Sequence, residues 1–197
     1  MRKILVLFAH PRFEHSVVNR ALVTVEKVHP SVTFRDLYEL YPDFNINLSE
    51  EQHLLLRHDV VIWHHPFYWY SCPPLLKQWI DLVLEFNWAY GPLGDKLTGK
   101  FIFNVITTGG ARGAYIASGR NRFTVNQLLA PFDQTAILCK MNYLPPFAVQ
   151  GTHRIESGGL QQHADGYSRL LSFLADESND LTLLKDYPVL NDFFIKS

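Results

Sequence analysis

A chain of 197 residues that is 47% apolar can bury a sizeable core and has a length typical of one domain. Its 18 basic and 19 acidic side chains leave a formal net charge of -1, so no global positive field exists to hold nucleic acid or an anionic membrane, and any anionic ligand must be held locally. Two cysteines far apart in sequence, Cys72 and Cys139, make a disulfide scaffold implausible and fit a reducing cytoplasm.

The opening MRKILVLFAH has a basic flank and a short apolar run but no small-residue cleavage site, and it reads as a strand. Ile4 to Ala9 is continuously apolar, the pattern of a strand buried on both faces of a parallel sheet. Ser16 is a good N-cap, and Val18, Ala21, Leu22, Val25 and Val28 follow at helical spacing until Pro30. Val32 to Leu37 predicts a second strand. Ser49 is expected to cap a short helix, with Glu51 and Gln52 near the capping-box position, before a third strand over Asp59 to His64. Pro73 and Pro74 start a helix whose stripe is Leu75, Leu76, Trp79, Ile80, Val83 and Phe86, and Phe101 to Thr107 is the fourth strand. A helix from about Thr124 to Cys139, a fifth strand near Phe147 to Gln150 and a helix from about Gly159 to Ala175 follow. The alternation predicts an α/β fold, a doubly wound five-stranded parallel sheet with helices on both faces, as a single domain over 1–197 whose tail after about 176 lies outside the pattern. No apolar stretch approaches the roughly 18 residues of a spanning helix, so a soluble protein that can dock on something membranous is expected.

Ligands of such sheets sit outside the carboxyl ends of the strands. Three segments occupy those ends: AHPRFEHSVVN, HHPFYWYSCPP and TTGGARGAY. The first suits a phosphate, since it leads into a helix N-terminus to which Ser16, Asn19, His10 and Arg12 add donors. The second offers aromatic bulk as a wall for a flat ligand, and the third has two glycines that let main-chain amides approach a ligand edge. A phosphate at one end and a planar ring at the other describe a flavin mononucleotide. His64 and His65 point to opposite faces of a strand and read as structural, with no metal site. Cys72, near a helix start, is either a redox thiol or, more commonly, a buried small hydrophobe. GDKLTGKF from Gly94 falls short of a phosphate loop because Phe101 replaces the Ser or Thr and a strand follows it. Arg12, Arg112, Arg120 and Arg122 read as solvated loop charges, although Arg120 and Arg122 are also placed to attract dinucleotide phosphates.

AHP…S..N, HP..WYS.PP.LK.WID, WAYG and TTGG in this order resemble the NAD(P)H:quinone oxidoreductase family of flavodoxin-like proteins. With LYELYPDFNI and LPPF they are similar, within it, to the small ancillary flavoproteins of glutathione-gated potassium-efflux systems. The resemblance spans roughly residues 3 to 175. It implies FMN (with FAD, used by larger members, as the alternative), NADH or NADPH as hydride donor, two-electron ping-pong reduction of a small-molecule quinone, and a homodimer with the flavin near the interface. It also implies association with a potassium-efflux antiporter, hence a cytoplasmic protein peripheral on the inner face of the cell membrane. By motif position, His10 and Ser16, Val17, Val18 and Asn19 would hold the phosphate and ribityl chain. Phe67, Tyr68, Trp69 and Tyr70 would line the isoalloxazine, while Thr107, Thr108, Gly109 and Gly110 meet its other edge. Catalysis would fall to Gly109, Gly110 and Tyr115, although the histidine that partners this tyrosine in larger members is replaced around Asn121. Trp88 and Tyr90 would cover the substrate. Two alternatives of another kind stay open: a regulatory subunit whose flavin is structural or sensory, and a flavodoxin-like electron carrier, which needs an exposed flavin edge and little substrate wall.

Overall fold

The computed structural model describes residues 1–194. Five parallel strand positions form one sheet. In chain order its elements are β1 (Ile4–Phe8), α1 (Val17–Val28), β2 (Val32–Asp36), α2 (Leu37–Leu40), α3 (Leu48–Arg57), β3 (Val60–Pro66), α4 (Pro74–Val83), β4 (Phe101–Thr108), α5 (Val125–Leu128), α6 (Ala130–Leu138), β5 (Asn142–Tyr143), β6 (Phe147–Gln150) and α7 (Ser157–Ala175). The order is β2-β1-β3-β4-β5, every pair is parallel, and β6 pairs with β4 beyond β5. β5 and β6 are thus two halves of one edge strand. Pro145 and Pro146 lie between them, and proline has no N–H to continue a ladder. Among the described residues no helix is long and apolar enough to cross a membrane.

The pleat sorts the continuous apolar runs into two cores. Leu5, Leu7, Val61 and Trp63 face α3, α4 and α6, whereas Ile4, Val6, Phe8 and Ile62 face α1 and α7. Trp79 of the expected stripe is buried, and its Nε1–H donates to Glu51 at 2.9 Å.

Four helix boundaries differ from expectation. α4 ends at Val83, so Phe86 of the expected stripe lies beyond it and is exposed. Asn47, not Ser49, caps α3, its side chain accepting from Glu50 N at 3.2 Å. The expected helix from Thr124 is two helices: Thr124 and Gln127 form a capping box for α5, and Pro131, which cannot donate a helical hydrogen bond, starts a new one at α6. α7 begins at Ser157 instead of Gly159. After Asp176 the chain makes two short 3-10 turns that bury Leu181, Leu184 and Leu190 against the α1/α7 core. There Asn191 Oδ1 accepts from Ala148 N at 2.8 Å, closing the exposed edge of β6.

His64 and His65 do point to opposite faces. His65 is wholly buried, with Nδ1–H donating to Pro66 O at 3.1 Å and Nε2 accepting from Asn104 Nδ2 at 3.0 Å. Both ring positions are committed to a neutral imidazole, and burial pushes its pKa down from 6.5 to about 3. Between those values the unfolded chain binds a proton that the folded one refuses. Stability is therefore full above pH 6.5 and declines as pH falls through that window. From pH 7 to pH 5 His65 alone should cost about 2 kcal/mol, read as a lower urea midpoint; an unchanged midpoint would mean that the ring is solvated.

Candidate functional site

The strand-end loops after β1, β3, β4 and β6 converge on a cavity of about 590 Å³ lined by His10, Arg12, His15, Ser16, Val17, Val18, Asn19, Pro66, Phe67, Tyr68, Thr107, Gly109, Thr152 and His153. Its floor is the start of α1. Ser16 caps that helix by accepting from Asn19 N at 3.3 Å, while the first helical amides, those of Val17 and Val18, have no intrahelical acceptor by helix geometry. An anion placed there meets free N–H groups and the positive end of the helix. His10 adds a donor of defined position. Its Nδ1 accepts from Arg12 N at 3.1 Å, so the neutral ring carries its hydrogen on Nε2. Burial first, and the neighbouring His64 second, lower its pKa to about 4.

Gly109 shows why the opposite wall has glycine. A Cβ there would stand 2.5 Å from His153 Nε2, so with the histidine ring as it lies the loops after β4 and β6 leave no room for a side chain at this position. Past this contact lies a second cavity of about 860 Å³, lined by Gly109, Gly110, Ala111, Ala114, Arg120, Gln150, Gly151, His153, Arg154, Ile155 and His163. Thr108 lines neither cavity. Its hydroxyl donates to Gly110 O at 2.7 Å and braces the turn.

The aromatic stretch divides. Phe67 and Tyr68 face the main cavity, whereas Trp69 and Tyr70 line a smaller hollow with Phe67, Tyr115, Arg120 and Asn121. Trp69 and Tyr70 both have positive φ, 49° and 63°, an unfavourable backbone for residues with a Cβ, and Trp69 is 94% exposed. Trp69 thus stands open on the hollow that it shares with Phe67 and Tyr115. Tyr115 is buried beside Phe67, with Gly110 against its ring edge. Asn121, near which larger members carry the histidine partner of this tyrosine, accepts from Tyr70 Oη at 3.2 Å. Trp88 and Tyr90 line none of the three hollows just described; both are half-buried against the α3/α4 side of the core. Arg112 is an exposed loop charge, as expected, and it also pairs with Asp192 through two hydrogen bonds of 2.9 and 2.6 Å. Burial pushes the Cys72 thiol up to about 11, which suits a small hydrophobe better than a redox thiol. Sequence reasoning missed His15, Thr152 and His153. The strand-end rule that selected the other loops applies equally to GTHRIE after β6.

Comparison with known proteins adds independent findings. The model of a family described as having a flavodoxin-like fold matches residues 2–171. The glutathione-regulated potassium-efflux system ancillary protein KefG of Salmonella paratyphi B is 44% identical over 170 residues, covering 86% of this chain and 93% of the relative. Among solved structures, general stress protein 14 of Treponema denticola, in complex with FMN, is 35% identical with a TM-score of 0.80, covering 87% of this chain and 97% of that one. An NADPH-quinone reductase of P. pentosaceus is 32% identical with a TM-score of 0.79, covering 89% and 98%.

Proposed function

This chain belongs to the flavodoxin-like NAD(P)H:quinone oxidoreductase family, near the KefG ancillary proteins, and from that premise we propose that it is an FMN-dependent NAD(P)H:quinone reductase. In the same reading it serves a glutathione-regulated potassium-efflux antiporter as its ancillary protein, working as a single-domain homodimer on the cytoplasmic side of the membrane. The observation that carries the chemistry is the cavity where the free amides of α1 face the Cβ-less turn at Gly109.

The residues fit FMN. Its volume range suits a cofactor site. The Ser16 hydroxyl, the Val17 and Val18 amides and His10 Nε2–H supply donors for a phosphate, and the Thr107 hydroxyl, held by Asn19, supplies the next polar contact inward. Phe67 and Tyr68 offer apolar surface to a ring, and the main chain at Gly109 and Gly110 approaches its edge, where N–H groups stabilise negative charge. FMN bound there supplies two-electron acceptance from NADH or NADPH and donation to a quinone. The protein's own part is to bind, to orient and to keep the reacting face apolar. Tyr115, with no histidine partner, would contribute only its own hydroxyl. The separation of Trp88 and Tyr90 from these cavities keeps their substrate role a proposal that needs the second subunit.

Purified protein should be yellow, release FMN on denaturation and oxidise NADH or NADPH in the presence of a quinone. Mass analysis of the released flavin and steady-state assays check this. FAD would shift the assignment toward the larger quinone reductases, with the second cavity taking the adenylate. A yellow protein without turnover would favour the regulatory reading, which the ancillary standing of the relatives supports. A protein that takes up no flavin would sink both.

A further inference from the structure

Behind the main cavity, Asn19 connects to two buried groups, His64 and Glu26, that the proposed function leaves without a task. Glu26 of α1 is wholly buried. Its Oε1 accepts from Tyr167 Oη at 2.7 Å and lies 2.8 Å from His64 Nδ1, while Oε2 has no partner among the described residues. His64 Nε2 lies 2.9 Å from Asn19 Oδ1. Asn19 Nδ2 in turn donates to Ser16 Oγ at 2.8 Å and to Thr107 Oγ1 at 3.1 Å. Both of these residues line the 590 Å³ cavity.

Hydrogens can be counted along this line. Ser16 Oγ accepts from Asn19 Nδ2 and from Asn19 N, so its own hydrogen is left for an acceptor in the cavity. The Thr107 hydroxyl, accepting from the same amide, is left likewise. This requires the Asn19 NH2 to face the hydroxyls and its Oδ1 to face His64, which must then carry hydrogen on Nε2. Since His64 meets Glu26 through Nδ1, one further hydrogen lies between Nδ1 and Oε1, on the ring or on the carboxyl. Removing that hydrogen would leave an uncompensated carboxylate in a dry interior, which is costly. The ring's remaining hydrogen would then turn to Nδ1 and the bare Nε2 would repel Oδ1. The Asn19 amide would turn over and consume the Ser16 and Thr107 hydrogens itself. The line thus has two hydrogen-bonded arrangements, and only one presents hydroxyl donors to the cavity.

We propose that Glu26 is a positioning residue for the phosphoryl site: through His64 and Asn19 it turns the Ser16 and Thr107 hydroxyls toward a bound phosphate. The proposal rests on the phosphate reading given above. It distinguishes ligands that differ only in that group, because riboflavin shares the ring and lacks the phosphate.

The test is the affinity of the full chain for FMN and for riboflavin, measured by quenching of flavin fluorescence. In Glu26→Leu the FMN affinity falls about tenfold, the worth of one hydrogen bond to a charged group, and riboflavin affinity stays within about twofold. In Glu26→Gln both stay within about threefold, because the new amide donates to His64 Nδ1 and Tyr167 Oη and so preserves hydrogen on Nε2. Equal losses for both flavins in Glu26→Leu, or a Glu26→Gln variant as weak as Glu26→Leu, would reduce Glu26 to a support of the fold and overturn the proposal. Should Glu26→Leu fail to fold, 15N spectra of the His64 ring in the wild-type protein decide: a hydrogen on Nε2 supports the assignment, and hydrogen on Nδ1 alone overturns it. Wild-type protein that holds riboflavin as tightly as FMN would overturn the phosphate reading itself, and this assignment with it.

Discussion

Replacing Ser16 with aspartate lowers FMN affinity by roughly a hundredfold or more and leaves the fold intact, because the two jobs of this residue separate by charge. As an N-cap, Ser16 accepts from Asn19 N, and aspartate performs that task as well as serine. As a ligand contact, it stands at the mouth of α1 between the Val17 and Val18 amides and the cavity. A carboxylate there occupies the same amides and repels a phosphate at close range. Ser16→Ala does the reverse: it loses the cap, about 1 kcal/mol of stability, and removes one donor without introducing repulsion. Thermal melts and flavin fluorescence quenching separate the effects. Unchanged affinity in Ser16→Asp would place the phosphate elsewhere.

What could be read in advance follows from how local each signal is. Ile4 to Ala9 announces a doubly covered strand within its own length, and Ser16 and Pro74 mark helix starts on their own. Asn142–Tyr143 is a two-residue strand with no period to detect, and it exists because β4 extends past the edge that β6 covers. The break at Leu129 was written in Pro131, but a continuous apolar pattern hid it. In the site, residues that act through a strand-end loop and a helix N-terminus were legible because those positions follow from fold topology. His153 needed only the same rule applied once more. Glu26 was not legible at all. It sits on a helix as a charge normally left in water, and its partners His64 and Tyr167 are 38 and 141 residues away. The left-handed backbone of Trp69 and Tyr70 was not legible either, because nothing in an aromatic run marks a positive φ at residues with a Cβ.

Replacing Gly109 with valine removes flavin binding, a loss of at least about a hundredfold, while the sheet stays folded. β4 ends at Thr108, so residue 109 belongs to the turn, and its φ lies outside the left-handed region; the backbone accepts a side chain and the neighbours do not. A Cβ would meet His153 Nε2 at 2.5 Å and Cδ2 at 2.8 Å. His153 is exposed and lines both cavities that meet at Gly109, so its ring can give way either into solvent or into one of those cavities. The β-branched atoms of valine then fill the gap through which the main chain reaches a ligand edge. Two causes are thus combined, a displaced histidine and a blocked amide, and a small cycle separates them. Gly109→Ala keeps the histidine clash with little extra bulk, and Gly109→Ala with His153→Ala removes it. Recovery of affinity in the double variant assigns the loss to the histidine; continued weakness assigns it to the close approach of the main chain. Circular dichroism checks the fold and NAD(P)H-driven quinone reduction follows the consequence. A Gly109→Val protein that binds FMN and reduces quinone like the parent would remove the glycine turn from the site altogether.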